Sequence, residues 1–171
     1  MELVKAQKSD LPQLKIVFDD IVNNMYKNGI DIWNEYYPYE EFEFDIEDNN
    51  LYLLKEEDTI VAAFGLYDSI GGADNFKWSC NDNEAKYIGR VGVNVNYLKQ
   101  GIGSLVVNYA KQLTKQDGAK YLRLTVVDIN KPATNLYLKN GFKKVEGVYK
   151  EVIEERNVTL CEYGYEISVL D

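Results

Sequence analysis

The chain has 171 residues, of which 46% are hydrophobic and 27% charged. Because a chain of this length and composition can bury a sizeable core, global disorder is excluded. The formal net charge of -9, without a dense Lys/Arg cluster, excludes the cationic face by which proteins bind nucleic acid. The chain has no histidine, which excludes Ser-His-Asp triads, Cys-His pairs, His-ligated metals and histidine bases.

The remaining bulk features concern compartment and domain number. Cys80 and Cys161 lie far apart without CxxC spacing, so neither a disulfide framework nor a zinc knuckle is predicted. The first residues lack the apolar core of a signal peptide, and no apolar run reaches the roughly 18 residues of a membrane span. We therefore expect a cytoplasmic protein that binds no membrane, with one domain over residues 1–171.

The first predicted elements are a short strand and an amphipathic helix. Residues 2–7 favour the strand. Ser9 or Asp10 can cap the helix, and Pro12 suits its first turn. Apolar residues then recur at helical spacing until Gly29, which is typical of a helix end.

The next stretch predicts a second helix, a hairpin and a loop. Residues 39–48 are acidic and predict the helix. Residues 51–55 and Thr59–Tyr67 flank a three-residue turn, and this arrangement predicts an antiparallel hairpin. Residues 70–84 contain two adjacent glycines with several Asn and Asp, which indicates a loop.

A strand and the clearest helix follow. Residues 85–94 are rich in strand-forming side chains, although Gly89 and Gly92 interrupt them, and such glycines often mark a bulge. Residues 101–114 carry one apolar stripe at helical spacing and therefore predict a helix, which ends before Gly118.

The last third predicts a strand, a short helix and two more strands. Tyr121–Val127 is the strand, and Asn130 can cap the helix Lys131–Lys139. Residues 142–149 and 158–169 are the closing strands. The order, βααβββαβαββ, predicts a mixed α/β fold with a central sheet.

The strongest functional signal is a strand that runs through a loop into a helix. Residues 91–94 end the strand, and the helix starts at Gly101-Ile102-Gly103. Helix N-termini expose unpaired amides with partial positive charge, and glycine lets a ligand approach them closely. Together with Lys99, these features suit a pyrophosphate. The glycines alone are more often explained by turn geometry, and the Walker and full dinucleotide motifs are both absent.

A second constellation follows the strand Tyr121–Val127. The two stretches together resemble the GCN5-related N-acetyltransferase (GNAT) family. Its cofactor motif reads Arg/Gln-x-x-Gly-x-Gly/Ala, and its later signature is Asn, Ala-x-x-x-Tyr and Gly-Phe. The specific resemblance covers about residues 85–145. Leu98 departs from the usual Arg or Gln, which bears on cofactor affinity. The matching residues are Gly101, Gly103, Asn130, Ala133, Tyr137, Gly141 and Phe142.

The resemblance implies an α/β (α+β) fold with a mixed, mostly antiparallel sheet that is splayed at the cofactor site and flanked by helices. It also implies acetyl-CoA (coenzyme A) as cosubstrate and no metal. The main chain of Val91, Gly92 and Val93 is expected to pair with the pantetheine arm. Asn130 is expected to contact the cofactor, and Tyr137 to lie near the sulfur. The residues expected around the pyrophosphate are Lys99, Gln100, Gly101, Ile102, Gly103 and Ser104.

The implied chemistry needs two proton movements. An acceptor amine with a pKa of about 10.4 must lose a proton before it attacks. Tyr137, with a reference pKa of about 10, can protonate the departing thiolate. The base is open between Glu35, Asp68 and Glu84, acting directly or through water. Positioning and main-chain amides that polarise the thioester are further sources of rate.

Residues 33–39 are rich in aromatic side chains. This segment is either a wall of the acceptor pocket or a plug on the core, and the sequence favours neither. We predict an N-acetyltransferase that acts on a primary amine of a small molecule or peptide by direct attack in a ternary complex. A non-catalytic coenzyme A-binding module and an interaction protein without cofactor are the alternatives. The acidic surplus suits a cationic acceptor, although it is more often explained by solubility alone. A homodimer stays open.

Overall fold

The computed structural model describes residues 1–170. The chain forms two compact units, of which the first comprises Met1–Leu66 and Gly89–Val106. The second comprises Tyr67–Ile88 and the chain from Val107 onward. One domain over residues 1–171 stays a prediction, and Asp171 lies outside the described residues. Among those residues, no helix is both long and apolar enough to cross a membrane.

The elements follow the predicted order, with extra short strands. The helices are α1 (Leu11–Lys27), α2 (Tyr39–Glu47), α3 (Ile102–Gln116) and α4 (Lys131–Lys139). The strands are β1 (Glu2–Lys5), β2 (Leu51–Glu56), β3 (Thr59–Tyr67), β4 (Phe76–Lys77), β5 (Ala85–Val93), β6 (Tyr121–Val127), β7 (Lys143–Lys144), β8 (Glu146–Gly147), β9 (Tyr149–Ile153) and β10 (Val158–Ser168).

In the first unit, β2 pairs antiparallel with β1 and with β3, and β5 follows β3 in strand order. In the second unit, β10 pairs antiparallel with β6, β7 and β9, and β4 pairs antiparallel with β8. The pairing of β5 with β6 is parallel and covers three residue pairs, from Ala85–Tyr121 to Tyr87–Arg123. The splay at the cofactor site stays a prediction. The mixed α/β fold with a mostly antiparallel sheet and helices is confirmed.

Helix α1 buries one face in the core of the first unit. Leu14, Val17, Phe18 and Ile21 are buried there. The ring of Phe18 lies 4.8 Å from that of Phe42 on α2, edge to face. The helix thus gains stability by removing its apolar stripe from water, as the spacing predicts.

The start of α1 differs from the prediction. Asp10 precedes the helix, but its side chain does not cap it. The carboxylate instead accepts a hydrogen bond from the amide of Gln7 at 2.8 Å and pairs with Lys55 at 2.6 Å. The cap therefore belongs to the preceding turn, Lys8–Asp10, and Lys55 could not be foreseen because it lies 45 residues away.

Gly92 lies where β5 meets α1. A Cβ at this position would be 2.6 Å from Cζ of Phe18 and 2.9 Å from Cδ1 of Ile21. Both side chains belong to the packed core, so neither has room to move. Close packing against α1 therefore explains why position 92 has no side chain.

We expect the substitution Gly92→Ala to destabilise the protein by about 2 kcal/mol, since overpacking a core costs roughly 1–3 kcal/mol. Urea unfolding of the variant measures this loss. Gly71→Ala is the control, because a Cβ at Gly71 meets nothing within 4 Å. Equal stability of the two variants would contradict the packing explanation.

The predicted closing strand over residues 142–149 is broken. β7 pairs with β10, whereas β8 pairs with β4 in a separate two-stranded sheet. Gly147 has a φ of 124°, and a Cβ there would lie 2.2 Å from the main-chain oxygen of Asn75. This close backbone approach divides the strand, and it places β4 inside the segment 70–84 that was predicted as a loop.

Candidate active site

Asn94 fixes the point where β5 leaves the sheet. Its main-chain amide donates to the oxygen of Val61 at 2.9 Å, and its side-chain nitrogen donates to the oxygen of Ile60 at 2.9 Å. Its side-chain oxygen accepts from the amide of Asn96 at 3.0 Å. Asn94 is buried, and its three hydrogen bonds hold the start of the loop in place. From the sequence, Asn94 was predicted only as the end of the strand.

The loop after Asn94 exposes its main chain. Lys99 and Gly101 have φ angles of 60° and 78°, and both residues are exposed. The first helical hydrogen bond of α3 runs from the amide of Leu105 to the oxygen of Gly101 at 3.1 Å. Among the described residues, the amides from Lys99 to Gly103 have no acceptor. Successive free amides at a helix start form a concave donor surface for an anion.

The open space around Gly101 also suits the binding of an anion. A Cβ there would meet nothing within 4 Å, so the main chain is open to a ligand. The side chain of Gln100 donates back to the oxygen of Asn96 at 3.3 Å, which leaves the neighbouring main-chain amides uncovered. The residues of this loop thus fit a diphosphate through their main chain. Leu98, at the position of the missing Arg or Gln, is 43% exposed and adds no donor.

Within β5, Val91 and Val93 are half-buried, whereas Gly92 between them faces α1. The alternation is that of a strand. The backbone irregularity expected near Gly92 lies at Arg90, whose φ is 49°. A left-handed residue in a strand turns the next peptide group out of the regular pattern, so Arg90 controls the direction of the amide of Val91.

The second unit contains Asn130 and Tyr137. The side-chain oxygen of Asn130 accepts from the amide of Ala133 at 3.3 Å and caps α4, as predicted. Its side-chain nitrogen has no partner among the described residues and can still donate to a ligand. Asn130 can therefore cap the helix and contact a cofactor at once.

Tyr137 is 6% exposed and packs edge to face on Phe142, with ring centroids 5.6 Å apart. Its hydroxyl has no hydrogen-bond partner among the described residues. Burial raises the pKa of the Tyr137 phenol well above its ordinary value of 10.0, so the phenol is protonated at neutral pH. A protonated phenol that makes no hydrogen bond to the described residues can act as an acid.

The three carboxylates considered as bases have different surroundings. Glu84 forms an ion pair with Lys120, and the ion pair raises the pKa of that lysine. Asp68 is exposed and pairs with Lys86 at 2.6 Å. Glu35 is exposed. Only Glu35 therefore lacks a cationic partner among the described residues.

The aromatic segment 33–39 is divided between the two interpretations. Trp33 stacks on the buried ring of Phe18 at 5.8 Å and so plugs the core. Tyr36 and Tyr37 are 60% and 40% exposed and can form a wall for a ligand. Tyr39 donates to Asp19 at 2.7 Å, and its pKa is raised by burial and by that carboxylate.

Asp128 is a candidate that sequence analysis missed. It follows β6 directly, and its Oδ1 is buried without a hydrogen-bond partner among the described residues. Its main-chain amide donates to the oxygen of Cys161 at 2.8 Å. A buried carboxylate oxygen without a partner is costly and often marks a site for a ligand or water. In the sequence, Asp128 lies two residues before the predicted site residue Asn130, and this proximity could have identified it.

The predicted site residues fall into two sets by unit. The first unit brings together the end of β5 and the amides at the start of α3, and it also holds Glu35. The second unit holds Glu84, Asn130 and Tyr137. The residues of the first set are Glu35, Val91, Gly92, Val93, Lys99, Gln100, Gly101, Ile102, Gly103 and Ser104.

Several solved structures with a similar fold are named as acetyltransferases. A Staphylococcus aureus Mu50 protein, provisionally named an acetyltransferase, is 25% identical, with a TM-score of 0.74 over 99% of this chain and 100% of its own. A ribosomal-protein-alanine N-acetyltransferase from Brucella melitensis is 18% identical, with a TM-score of 0.71 over 98% and 99%. YncA from Salmonella typhimurium, also provisionally named and solved with acetyl-CoA, is 12% identical, with a TM-score of 0.73 over 100% and 95%.

The chain thus has the fold of these acetyltransferase structures. No curated protein matches the sequence. The model of the acetyltransferase (GNAT) family matches residues 18–142, which is more than half of the chain. The chain therefore belongs to the acetyltransferase (GNAT) family.

Proposed function

We propose that the protein is an N-acetyltransferase that transfers an acetyl group from acetyl-CoA to a primary amine of a small molecule or peptide. Family membership supports acetyl transfer. The Salmonella protein, solved with acetyl-CoA, and the Brucella protein, named an N-acetyltransferase, support the cosubstrate and the amine. The observation that carries the proposal is the run of amides from Lys99 to Gly103 without an acceptor.

These amides provide the diphosphate site. Each N–H points its positive end toward the ligand, and the N-terminus of α3 adds the partial charge of its helix dipole. Lys99 adds a full positive charge, which compensates for the missing Arg or Gln at Leu98. Since the chain has a net charge of -9, this local donor surface is what attracts an anionic cosubstrate.

The end of β5 provides the site for the pantetheine arm. Main-chain groups of Val91 and Val93 pair with the arm as an added strand would. The amide of Val91 then donates to the thioester oxygen, where negative charge develops as the amine attacks. Asn130 donates to the cofactor through its free side-chain nitrogen.

The reaction is a direct transfer in a ternary complex. The neutral amine attacks the carbonyl carbon of the thioester, and the new C–N bond forms as the C–S bond breaks. The proton lost by the amine goes to a base, and the departing thiolate takes the phenol proton of Tyr137. Solvent returns a proton to Tyr137. Among the carboxylates, Glu35 and Glu84 are our proposed bases, and Glu84 must first leave Lys120.

The acceptor that we propose is a cationic amine. Glu35 and Tyr36 are exposed neighbours in the first unit, and the chain is acidic overall. Carboxylates and aromatic faces both attract ammonium groups. A cytoplasmic location, the absence of a nucleic-acid or membrane partner, and a homodimer stay predictions.

Calorimetry with acetyl-CoA and a thiol-release assay test this function together. The amine panel contains a polyamine, an aminoglycoside, an amino acid and a peptide with a free N-terminus, with an acetylated polyamine as the blocked control. We expect acetyl-CoA to stabilise the fold by about 2.7 kcal/mol at 100 times its dissociation constant. We also expect thiol release with the cationic amines. Binding without turnover on any amine would favour the non-catalytic module, and no stabilisation at millimolar acetyl-CoA would refute both.

A further inference from the structure

Arg90 has a backbone conformation that its side chain does not favour. Its φ of 49° lies in the left-handed region, which glycine and asparagine adopt readily and arginine seldom does. The residue lies within β5, directly before Val91. Strained residues of this kind persist only where the surrounding structure holds them, and they cluster at functional sites.

The side chain of Arg90 is held by helix α2. Its Nη1 donates to both carboxylate oxygens of Asp45, at 2.9 and 2.6 Å. Its Nη2 lies 3.4 Å from Oε2 of Glu41. The guanidinium also lies over the ring of Tyr37, 5.6 Å from its centroid. Arg90 thus contacts α2 and the segment before it through charge, hydrogen bonds and an aromatic face.

The pair of Arg90 with Asp45 is largely removed from water. The side chains are 17% and 8% exposed. Asp45 is flanked on α2 by Phe42 and Ile46, which are buried in the core of the first unit. The carboxylate therefore has a fixed position, and an ion pair with these exposures resists separation far more than a surface pair does.

The conformation of Arg90 sets the direction of the Val91 amide, which the proposed function uses as a hydrogen-bond donor. The peptide group between Arg90 and Val91 contains the amide of Val91. Its direction depends on the conformation of Arg90, because a left-handed residue breaks the alternation of a strand. We propose that Asp45 and Arg90 act as a clamp that holds the Val91 amide toward the thioester oxygen. This inference rests on the proposed function.

Arg90 can act through its ion pair with Asp45 or through its left-handed backbone conformation. Comparing the Ala and Gly variants at position 90 distinguishes the two. Arg90→Ala loses the clamp and resists the left-handed conformation, whereas Arg90→Gly loses the clamp but adopts that conformation freely. We expect Arg90→Ala to lower kcat about 30-fold, which is less than the roughly 100- to 1000-fold loss that follows complete removal of an oxyanion donor. We expect Arg90→Gly to stay within about fivefold of the wild type, since its backbone meets no steric barrier. KM for the amine is expected to change less than about threefold in both variants, since no amine contact is removed.

Asp45→Ala tests the clamp by removing the carboxylate partner of Arg90. It is expected to lower kcat about tenfold in the wild-type background and to have no further effect on Arg90→Gly, because the two residues act as a unit. The matched control is Lys55→Ala, which breaks the ion pair of Lys55 with Asp10 at 2.6 Å in the same unit. This control is expected to retain the wild-type kcat.

Several outcomes would overturn the clamp. They are equal losses in Arg90→Ala and Arg90→Gly, full activity of Arg90→Ala, or an unchanged kcat in Asp45→Ala. If the variants at position 90 do not fold, as judged by thermal unfolding, Asp45→Ala with the Lys55→Ala control decides the matter. A wild-type chain without turnover on any amine would refute the proposed function and the clamp with it. Turnover that Arg90→Ala retains in full would refute the clamp alone.

Discussion

Acetyl-CoA is expected to bind about 100-fold more weakly when Gly101 is replaced by aspartate. The new carboxylate would stand at the start of α3, among the amides that we assign to the diphosphate. Like charges about 5 Å apart repel by roughly 3 kcal/mol at an effective dielectric constant of about 20. That repulsion is sufficient for the expected loss. Isothermal titration calorimetry with acetyl-CoA measures it.

Gly118 offers a matched control for this substitution. Gly101 and Gly118 have φ angles of 78° and 79°, and a Cβ at either position would meet nothing within 4 Å. Gly118 follows the C-terminal end of the same helix, α3. Gly118→Asp therefore has the same backbone cost as Gly101→Asp and adds the same charge to the chain. We expect its acetyl-CoA affinity to change less than about threefold. A charge at the C-terminal end of α3 lies about 20 Å, one helix length, from the amides at its N-terminal end, and salt largely screens charges at that separation.

The comparison separates a local effect from a general one. Strain alone would reduce the stability of both variants by a similar amount and leave the affinity of the folded fraction intact. If Gly101→Asp bound acetyl-CoA as the wild type does, the diphosphate would not lie at these amides. If both variants lost affinity equally, the effect would reflect net charge or stability.

Replacement of Tyr137 by phenylalanine is expected to lower kcat by about 100-fold or more, as the loss of a general acid usually does. The ring remains, so its packing on Phe142 is preserved. The dissociation constant of acetyl-CoA is expected to change less than about threefold, since the proton is needed only as the C–S bond breaks. Single-turnover kinetics and calorimetry measure the two quantities.

The pH dependence of kcat follows from the direction of the pKa shift. Burial raises the pKa of Tyr137 above 10.0, so the acid form persists through neutral and mildly alkaline pH and is lost only above the ordinary range. We therefore expect no fall in the wild-type kcat from this group below about pH 10. An alkaline fall near pH 8 that disappears in Tyr137→Phe would contradict this assignment.

Tyr165→Phe serves as the control for Tyr137→Phe. Tyr165 is 5% exposed in the same unit, and burial also raises the pKa of its phenol. The control thus removes a comparable buried hydroxyl while keeping its ring. We expect it to retain the wild-type kcat within about threefold, because a partly satisfied hydroxyl contributes mainly to stability. A similar loss in both variants would show that Tyr137 is needed for packing alone.

Elements with strong local patterns were predictable from the sequence. Thr59–Tyr67, Tyr121–Val127 and Lys131–Lys139 have the predicted bounds, because alternation, capping and glycine placement act within a few residues. The Gly101-Ile102-Gly103 start of α3 was predictable for the same reason. The closing strand was not, since the break at Gly147 depends on the approach of Asn75 from another part of the chain.

Buried charges were the features that the sequence concealed. Arg123 lies in the predicted strand Tyr121–Val127, and its side chain is 0% exposed. The residues next to it in the sequence do not predict this burial. Its partners, Asp82 and Glu166, lie 41 and 43 residues away. The cation–π contact with Trp78, 4.9 Å from the ring centroid, is equally remote in sequence. Such a charge is tolerable only because distant groups replace its water.

The sequence by itself determined the order of the elements, the exposed helix start at Gly101 and the family. These depend on residue types at short, fixed spacings, and short-range rules govern them. The tertiary structure alone decided that Arg90 is left-handed, that Asp45 holds it, that Glu84 is paired with Lys120 and that Tyr137 is buried. Each depends on groups that folding brings together from distant parts of the chain, and local patterns do not encode such pairings.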